Sequence, residues 1–284
     1  MIKYCFIILH YNNINDTTEC IDSVRALNEP SKIVVVSNSK DIEQLQTIKS
    51  KIDHLIINEE NVGFAKANNI GAHAAMELYH PDFLIVINND IIMNDAHFLQ
   101  QIQDDYNQYQ FDALGPYIET DGGDSVNPFY TYDTLDEINE EIGKCKRMIR
   151  IYSNYFLRNV YTILRNIKHL FVKSKLVFQN GEQILTNVSL HGCAIIFSKK
   201  YYEKFEFPFY NETFLYHEEE FLSYRRKKHH LIFMYDPNLK VFHKEGASLK
   251  QTYQKNYKKL IFHNQERMKS LEKLKYIVEN NIDI

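Results

Sequence analysis

The sequence predicts an α/β fold with a mostly parallel central sheet, on three observations. In the first third, short apolar runs alternate with helical segments of about ten residues or more, the pattern of a sheet covered by helices. The runs 32–36 (KIVVV) and 83–87 (FLIVI) are apolar throughout, as strands buried on both faces are. The 284 residues are 44% apolar and 25% charged, a globular composition with room for one large α/β domain or two smaller ones.

Taken in order, residues 3–9 (KYCFIIL) are a compact β-favouring run and 14–27 read as a helix. A second strand is expected at 32–36 and a second helix at 41–51. A short third strand falls at 55–57, an alanine-rich helix at 64–79, and a fourth strand at 83–87. Gly122, Gly123 and Pro128 mark a loop. Residues 189–197 (SLHGCAIIF) begin the last third as a strand, and an acidic helix starts at His217-Glu218-Glu219-Glu220. Two short strands are expected at 231–235 and 240–242, then a basic helical tail over 251–279. The organisation expected is a first half at 1–120, an insertion at 121–185, a second half at 186–250 and a tail at 251–284.

Lys plus Arg number 33 and Asp plus Glu 37, a net charge of −4, which disfavours a globally basic nucleic-acid binder. Cys5, Cys20, Cys145 and Cys193 form no CxxC pair, which argues against a zinc ribbon or a disulfide framework. The apolar start is too short for a signal peptide, and no run approaches the roughly 18 apolar residues of a spanning helix. The expectation is a cytoplasmic protein able to sit on the inner face of the membrane.

Charge is concentrated in one place. Residues 144–175 contain nine Lys and Arg and no acid, which leaves −13 on the rest of the chain. On a helical wheel Cys145, Met148, Ile149, Tyr152, Phe156, Val160, Ile163, Ile167 and Leu170 share one face, with nearly all the cations on the opposite half. Ile151, Leu157 and Tyr161 break the pattern. Three readings stand: contact with an anionic membrane, packing on the domain, or a homodimer interface.

Ligands of such sheets bind at the carboxyl ends of the strands. Asn88-Asn89-Asp90 follows FLIVI, where a carboxylate with a divalent Mg or Mn ion would hold a diphosphate; the same triplet also suits a simple turn. Asn61, Gly63, Phe64 and Asn68 surround a helix start. Small residues there, and at Gly71, allow close approach to a ligand or to the sheet, and Asn61 also suits an N-cap. Glu218, Glu219 and Glu220 suit the positive end of a helix, and a carboxylate in such a cluster also suits proton abstraction. His243 follows the strand KVF as a candidate metal ligand or diphosphate contact.

Six segments occur in one order: HYNN at 10–13, NVGFAKANNIG at 61–71, INND at 87–90, HGCAIIFSKK at 191–200, FLYHEEEFLSYR at 214–225 and VFHKEGAS at 241–248. This order resembles bacterial family 2 glycosyltransferases of the rhamnosyltransferase-like branch, which build capsule, O-antigen and cell-wall polysaccharides. The resemblance covers about 1–120 and 186–250. It implies a GT-A (Rossmann-like) nucleotide-sugar-binding fold, here with a basic helical insertion and a C-terminal helix, and inverting transfer from a UDP- or dTDP-sugar to a lipid-linked saccharide. Asn88 and Asp90 match the first and last positions of the family's DxD-like motif, with Asp90 and His243 on the metal. Glu219 matches the catalytic base, with Glu218 as the alternative in register. Tyr11, Ser37 and Asn38 match the nucleobase pocket. Asn61, Gly63, Phe64, Asn68, Asn89 and Ser248 complete the donor side, and His191 with Gly192 the acceptor side. Many relatives carry Asp where Ser37 stands, which leaves the base open, and Phe221 replaces a frequent second Asp. The competing readings are a sugar-phosphate nucleotidyltransferase and a non-catalytic partner subunit. Against the first, HYNNIND after strand one has no Gly, and its only basic residue is His10.

Overall fold

A computed structural model describes residues 3–40, 42–121, 125–132, 134–171, 183–244 and 256–284. In chain order the elements are β1 (Tyr4–His10), α1 (Ile14–Arg25), β2 (Ser31–Ser37), α2 (Ile42–Thr47), β3 (His54–Ile57), α3 (Phe64–Tyr79), β4 (Phe83–Asn88) and β5 (Ile91–Met93). They continue with α4 (Phe98–Tyr109), β6 (Ala113–Thr120), α5 (Leu135–Ser153), α6 (Tyr155–Phe171), β7 (Leu185–Thr186) and β8 (Ala194–Ser198). The last are α7 (Lys199–Tyr202), α8 (Glu218–His229), β9 (Phe233–His243) and α9 (Tyr257–Glu279).

One sheet runs through the molecule in the order β3-β2-β1-β4-β8-β6-β9-β5, with β7 pairing β9. The first four strands are parallel. β8 is antiparallel to both β4 and β6, and β6 is parallel to β9. The apolar strands lack alternation because both faces are covered. Phe6, Ile8, Ile33, Val35, Ile85 and Ile87 enter one core; Cys5, Ile7, Val34, Val36, Leu84 and Val86 enter the other. Gly71 serves that packing: a Cβ there would lie 2.7 Å from side-chain carbons of Ile7 and Val36, so α3 approaches the sheet at this point.

Several sequence expectations need correction. Residues 231–235 and 240–242 are not two strands but one, β9, whose pairing with β6 shifts register between Pro116 and Tyr117. Pro237 has no N–H for the ladder, so the pattern read as broken while the strand continued. β5, α4 and β6 were not anticipated; Gly115-Pro116 disguises β6, which is nonetheless buried at Ala113, Leu114 and Ile118. β8 begins at Ala194 rather than 189, since 191–193 form a turn over the site. The second helix is shorter than expected and ends at Thr47. The basic stretch is a helix pair broken at Asn154, whose backbone is extended at φ −102° and ψ 122°. Its first helix starts earlier, at Leu135, behind a capping box between Thr134 and Glu137.

The pair divides the predicted apolar stripe. On α5, Cys145 is buried with Ile138 and Ile142 against Phe221 of α8 and Leu271, Leu274 and Ile277 of α9. On α6, Phe156, Val160 and Ile163 are exposed. Lys173 and Lys175, the loop at Gly122-Gly123 and the start of the tail at 251–255 lie outside the described residues.

Away from the strand ends, Asp105 of α4 and Asp236 of β9 are both buried, and Gln101 Nε2 donates to each at 3.3 Å. Burial first, and the neighbouring Asp236 charge second, push the Asp105 carboxyl up to about 7. A carboxyl raised in the native state binds more protons than in the unfolded chain between its two pKa values. Stability therefore falls as pH rises from about 4 to about 7. Asp105→Asn keeps the shape, gives Asp236 a donor and removes this loss. Urea unfolding at pH 5 and pH 8 should show a smaller drop for the variant than for the parent. An equal drop in both would assign the pH dependence elsewhere.

Candidate active site

A cavity of about 420 Å³ opens at the carboxyl end of β4. Asn88, the last residue of that strand, lines it, together with Phe64, Phe129, Tyr130, Tyr132, His191, Gly192, His217, the three glutamates 218–220 and Arg267. Six parts of the chain meet here: the end of β4, the start of α3, the segment 129–132, the turn before β8, the first turn of α8, and α9.

The first turn of α8 holds Glu218, Glu219 and Glu220, where the positive helix end favours carboxylates. Tyr216 and His217 enter it with φ of 72° and 70°. Left-handed backbone at such bulky residues costs about 1–3 kcal/mol each, strain of the kind that collects at functional sites. The three acids are not equivalent. Glu218 is buried, and desolvation, then the charges of Glu219 and Glu220, push its carboxyl up to about 8. Burial also raises Glu220, against the opposing pull of His217, whose Nδ1 stands 3.2 Å away. Glu219 is only half-buried, and its Oε1 accepts the Gly192 N–H at 2.9 Å. Glu218 Oε1, Glu220 Oε2 and His217 Nε2 are buried without hydrogen-bond partners. Buried polar atoms are nearly always paired, so orphans in a cavity wall are groups for a ligand to satisfy.

At the opposite wall, the backbone N–H of Asn88 donates to the Cys193 carbonyl at 2.9 Å, locking β4 to the turn before β8. Asn89 Nδ2 donates to Thr17 Oγ1. Asp90 follows, with Oδ1 buried, lacking an aligned hydrogen-bond donor, and 3.2 Å from His243 Nε2. β5 and β9 create that pair through the register Ile91↔His243. The under-satisfied Asp90 carboxylate oxygen is the ligand type that Mg or Mn accepts, while the His243 imidazole is a softer ligand that suits Mg poorly. Among the described residues no third His, Cys, Asp or Glu joins them.

The donor-side residues form a connected frame. Asn38 Nδ2 donates to the Gly63 carbonyl at 2.9 Å, and Asn38 Oδ1 accepts from Asn58 Nδ2. Asn61 Oδ1 accepts the Gly63 N–H, so Asn61 shapes the turn, while Gly63 occupies the cap position. Phe64 N–H donates to the Phe214 carbonyl, tying the start of α3 to the segment that leads into α8. Asn68 Nδ2 donates to Phe64 O, and its Oδ1 is buried without a partner. Ser37 is fully buried, with Oγ 3.2 Å from the Ser39 carbonyl. Tyr11 is 54% exposed at the end of β1. Of the residues singled out in the sequence, the cavity collects Phe64, Asn88, His191, Gly192, Glu218 and Glu219. Ser248 lies outside the described residues.

Sequence reading missed Tyr132, His217 as a wall residue, and Arg267. Arg267 comes from α9, where its Nη2 donates to Glu141 of α5 at 2.7 Å. No local signal marks it, since it reaches the cavity through helix docking. Phe129, Tyr130 and Tyr132 follow the predicted loop and give one side of the cavity an aromatic wall; the Phe129 ring meets His191 edge-on at 5.0 Å.

Asn88 ends a central strand and shares one cavity with the acidic start of α8, and Asp90 follows two residues on, outside the cavity lining, on a mixed α/β sheet. Residues 5–175 match the glycosyl transferase family 2 profile, and the chain belongs to that family. Among solved structures it is similar to S. aureus TarS 1–349, at 13% identity and a TM-score of 0.53, over 93% of this chain and 65% of that one. It is likewise similar to a second S. aureus TarS structure, at 14% identity and a TM-score of 0.52, over 92% of this chain and 39% of the other. The chain thus spans less than two thirds of either, and at these identities the likeness is one of fold. No curated protein sequence matches.

Gly63 tests the frame. Its φ is +91°, and a Cβ would lie 2.2 Å from the Phe214 carbonyl oxygen. Gly63→Ala should lower unfolding free energy by at least about 2 kcal/mol, read as a fall in urea midpoint at unchanged slope. A loss under about 0.5 kcal/mol would show that this close approach is not needed.

Proposed function

We propose that this protein is an inverting glycosyltransferase that moves a sugar from a nucleoside-diphosphate sugar, UDP- or dTDP-linked, to a hydroxyl of a lipid-linked saccharide in bacterial surface polysaccharide synthesis. One observation carries the reading. A single cavity is lined on one side by Asn88, two residues before Asp90, and on the other by Glu219. Such transfer needs charge neutralised on the leaving diphosphate and a base beside the incoming hydroxyl. Glu219 in the cavity wall would supply the base, and Asp90, just beyond Asn88, would supply the neutralising side through a bound cation.

Glu219 is the base in this reading. Its carboxylate reaches the cavity and is oriented by the Gly192 N–H. Burial and the neighbouring carboxylates favour the protonated form of Glu218, which suits it to donate a hydrogen bond to an acceptor oxygen rather than to take a proton. As the acceptor oxygen attacks the anomeric carbon, its proton passes to Glu219 Oε while the bond to the diphosphate breaks. Asp90 and His243 would hold a divalent cation that stabilises the departing diphosphate when bound. Asn88 and Phe64 would border the donor, and the rings of Phe129, Tyr130 and Tyr132 in the same cavity wall would meet the acceptor sugar.

Glu219→Gln should leave donor binding unchanged and slow transfer at least about a hundredfold, measured by release of the nucleoside diphosphate with acceptor present. Glu218→Gln, which keeps the shape of the protonated acid, should lose less than about tenfold. The reverse ranking would move the base to Glu218.

Asp90→Ala should abolish manganese-dependent transfer and also the extra thermal stabilisation that manganese gives in the presence of nucleoside diphosphate. Activity within about tenfold of the parent, with that stabilisation retained, would remove Asp90 from the metal site.

A further inference from the structure

Helix α6 is turned the wrong way round for a packed element. A surface helix of a globular protein ordinarily lays its apolar stripe on the core and its polar face in water. Among the described side chains of α6, Arg158 and Tyr161 touch the rest of the protein and Leu157 is half-buried. The Arg158 guanidinium lies 3.9 Å from the centroid of the Tyr257 ring, and Tyr161 packs edge-on against Tyr152. The apolar stripe points outward instead: Phe156 is 72% exposed, Val160 38% and Ile163 60%, with Tyr155 beside them at 73%. Four of the ten large apolar side chains exposed among the described residues fall within these nine positions.

We propose that this face of α6 seats the protein on an anionic lipid surface. The occupant follows from charge as well as apolarity. Residues 144–175 carry nine cations and no acid. Lys144 and Lys146 are neutralised by Glu140, Glu141 and Glu272, whereas Arg147 and Arg150 are exposed at the end of α5 beside the break that starts α6. A second copy docked symmetrically through this face would bring the cationic stretch against its own image, with no acid within it to offset the repulsion. A nucleic acid would neutralise the cations and leave the rings and aliphatic chains in water. An anionic bilayer does both: phosphates take the arginines, and the boundary of the acyl region takes Phe156, Val160 and Ile163. No described helix is long and apolar enough to cross a membrane, so the described part of this contact lies along the surface. α6 adjoins the α5–α9 pair that supplies Glu141 and Arg267, so seating it would bring the cavity near the lipid. The use of that nearness for a lipid-linked acceptor rests on the proposed transfer reaction; the lipid contact itself does not.

Vesicle flotation of the full chain, without donor or acceptor, tests the contact. The protein should float with phosphatidylglycerol-containing vesicles at low salt and not with phosphatidylcholine alone. Raised salt, Arg147→Glu with Arg150→Glu, or Phe156→Glu with Ile163→Glu should each weaken binding at least about tenfold. Unchanged far-UV circular dichroism and unchanged thermal stabilisation by nucleoside diphosphate would show that the variants fold. Absence of binding to anionic vesicles at low salt overturns the proposal, as does equal binding by the Phe156/Ile163 variant. A dimer in sedimentation velocity that this variant dissociates, without vesicle binding by the parent, would assign the face to a second copy.

Discussion

Three consecutive carboxylates cannot all carry charge inside one partly buried helical turn, and the site rests on how that conflict is resolved. Desolvation is strongest for Glu218 and Glu220, so protonation is favoured there, with His217 partly offsetting it at Glu220. Glu219 has more water and the Gly192 N–H. The protein places three identical side chains in different environments by depth and by one backbone donor. That sorting requires the turn to stay where it is, and the surrounding structure pins it from both sides. α3 holds its approach through Phe64 N–H on the Phe214 carbonyl and the Asn69 amide on both backbone groups of Phe209. α9 holds it through Ser270 Oγ on the Leu215 carbonyl. The left-handed Tyr216 and His217 persist only because these contacts over-determine them.

The parts of the molecule legible in the sequence are those whose environment is uniform. β1, β2 and β4 are buried on both faces, and a continuous apolar run admits few other readings. The carboxylates also stood out, Asp90 because it follows such a strand and Glu218–Glu220 because they open a helix. Legibility fails where one residue serves two demands. Gly115-Pro116 and Pro237 read as breaks, although β6 and β9 accommodate them by shifting register. It fails again where position is set by docking. Nothing near Arg267 distinguishes it from the other cations of the tail, and only the packing of α9 on α5 carries it to the cavity. The wheel of 144–175 assumed one continuous helix, whereas the break at Asn154 makes two whose apolar residues turn to different sides. α5 and α6 share the stripe and use it in opposite senses.

The family match ends at residue 175, which divides the site unevenly. Asp90 and the donor frame around Asn38, Gly63 and Phe64 lie inside it. Glu219, His243 and Arg267 lie beyond it. Within the matched part, β2, β3 and β4 are each laid beside a strand already formed, whereas β5 and β6 wait for later strands. The remainder is built from long returns: β8 is placed between β4 and β6, and β9 comes back beside β6. The two halves of the proposed chemistry thus have different structural origins, a compact donor platform and an acceptor wall assembled from afar.

The placement of β8 has a consequence for how the chain is made. On a ribosome the first four strands emerge early and can pair among themselves. The outer edge of β4 then has no mate until Ala194–Ser198 arrives, more than a hundred residues later. At about 5–20 residues per second the interval is roughly 5–20 s. Throughout it, the six-residue edge FLIVIN presents open backbone donors and acceptors flanked by apolar side chains, a template for pairing with a neighbouring nascent chain. Within the finished sheet that edge is closed by β8, so the strand most open to mispairing during synthesis is one that the folded protein hides completely.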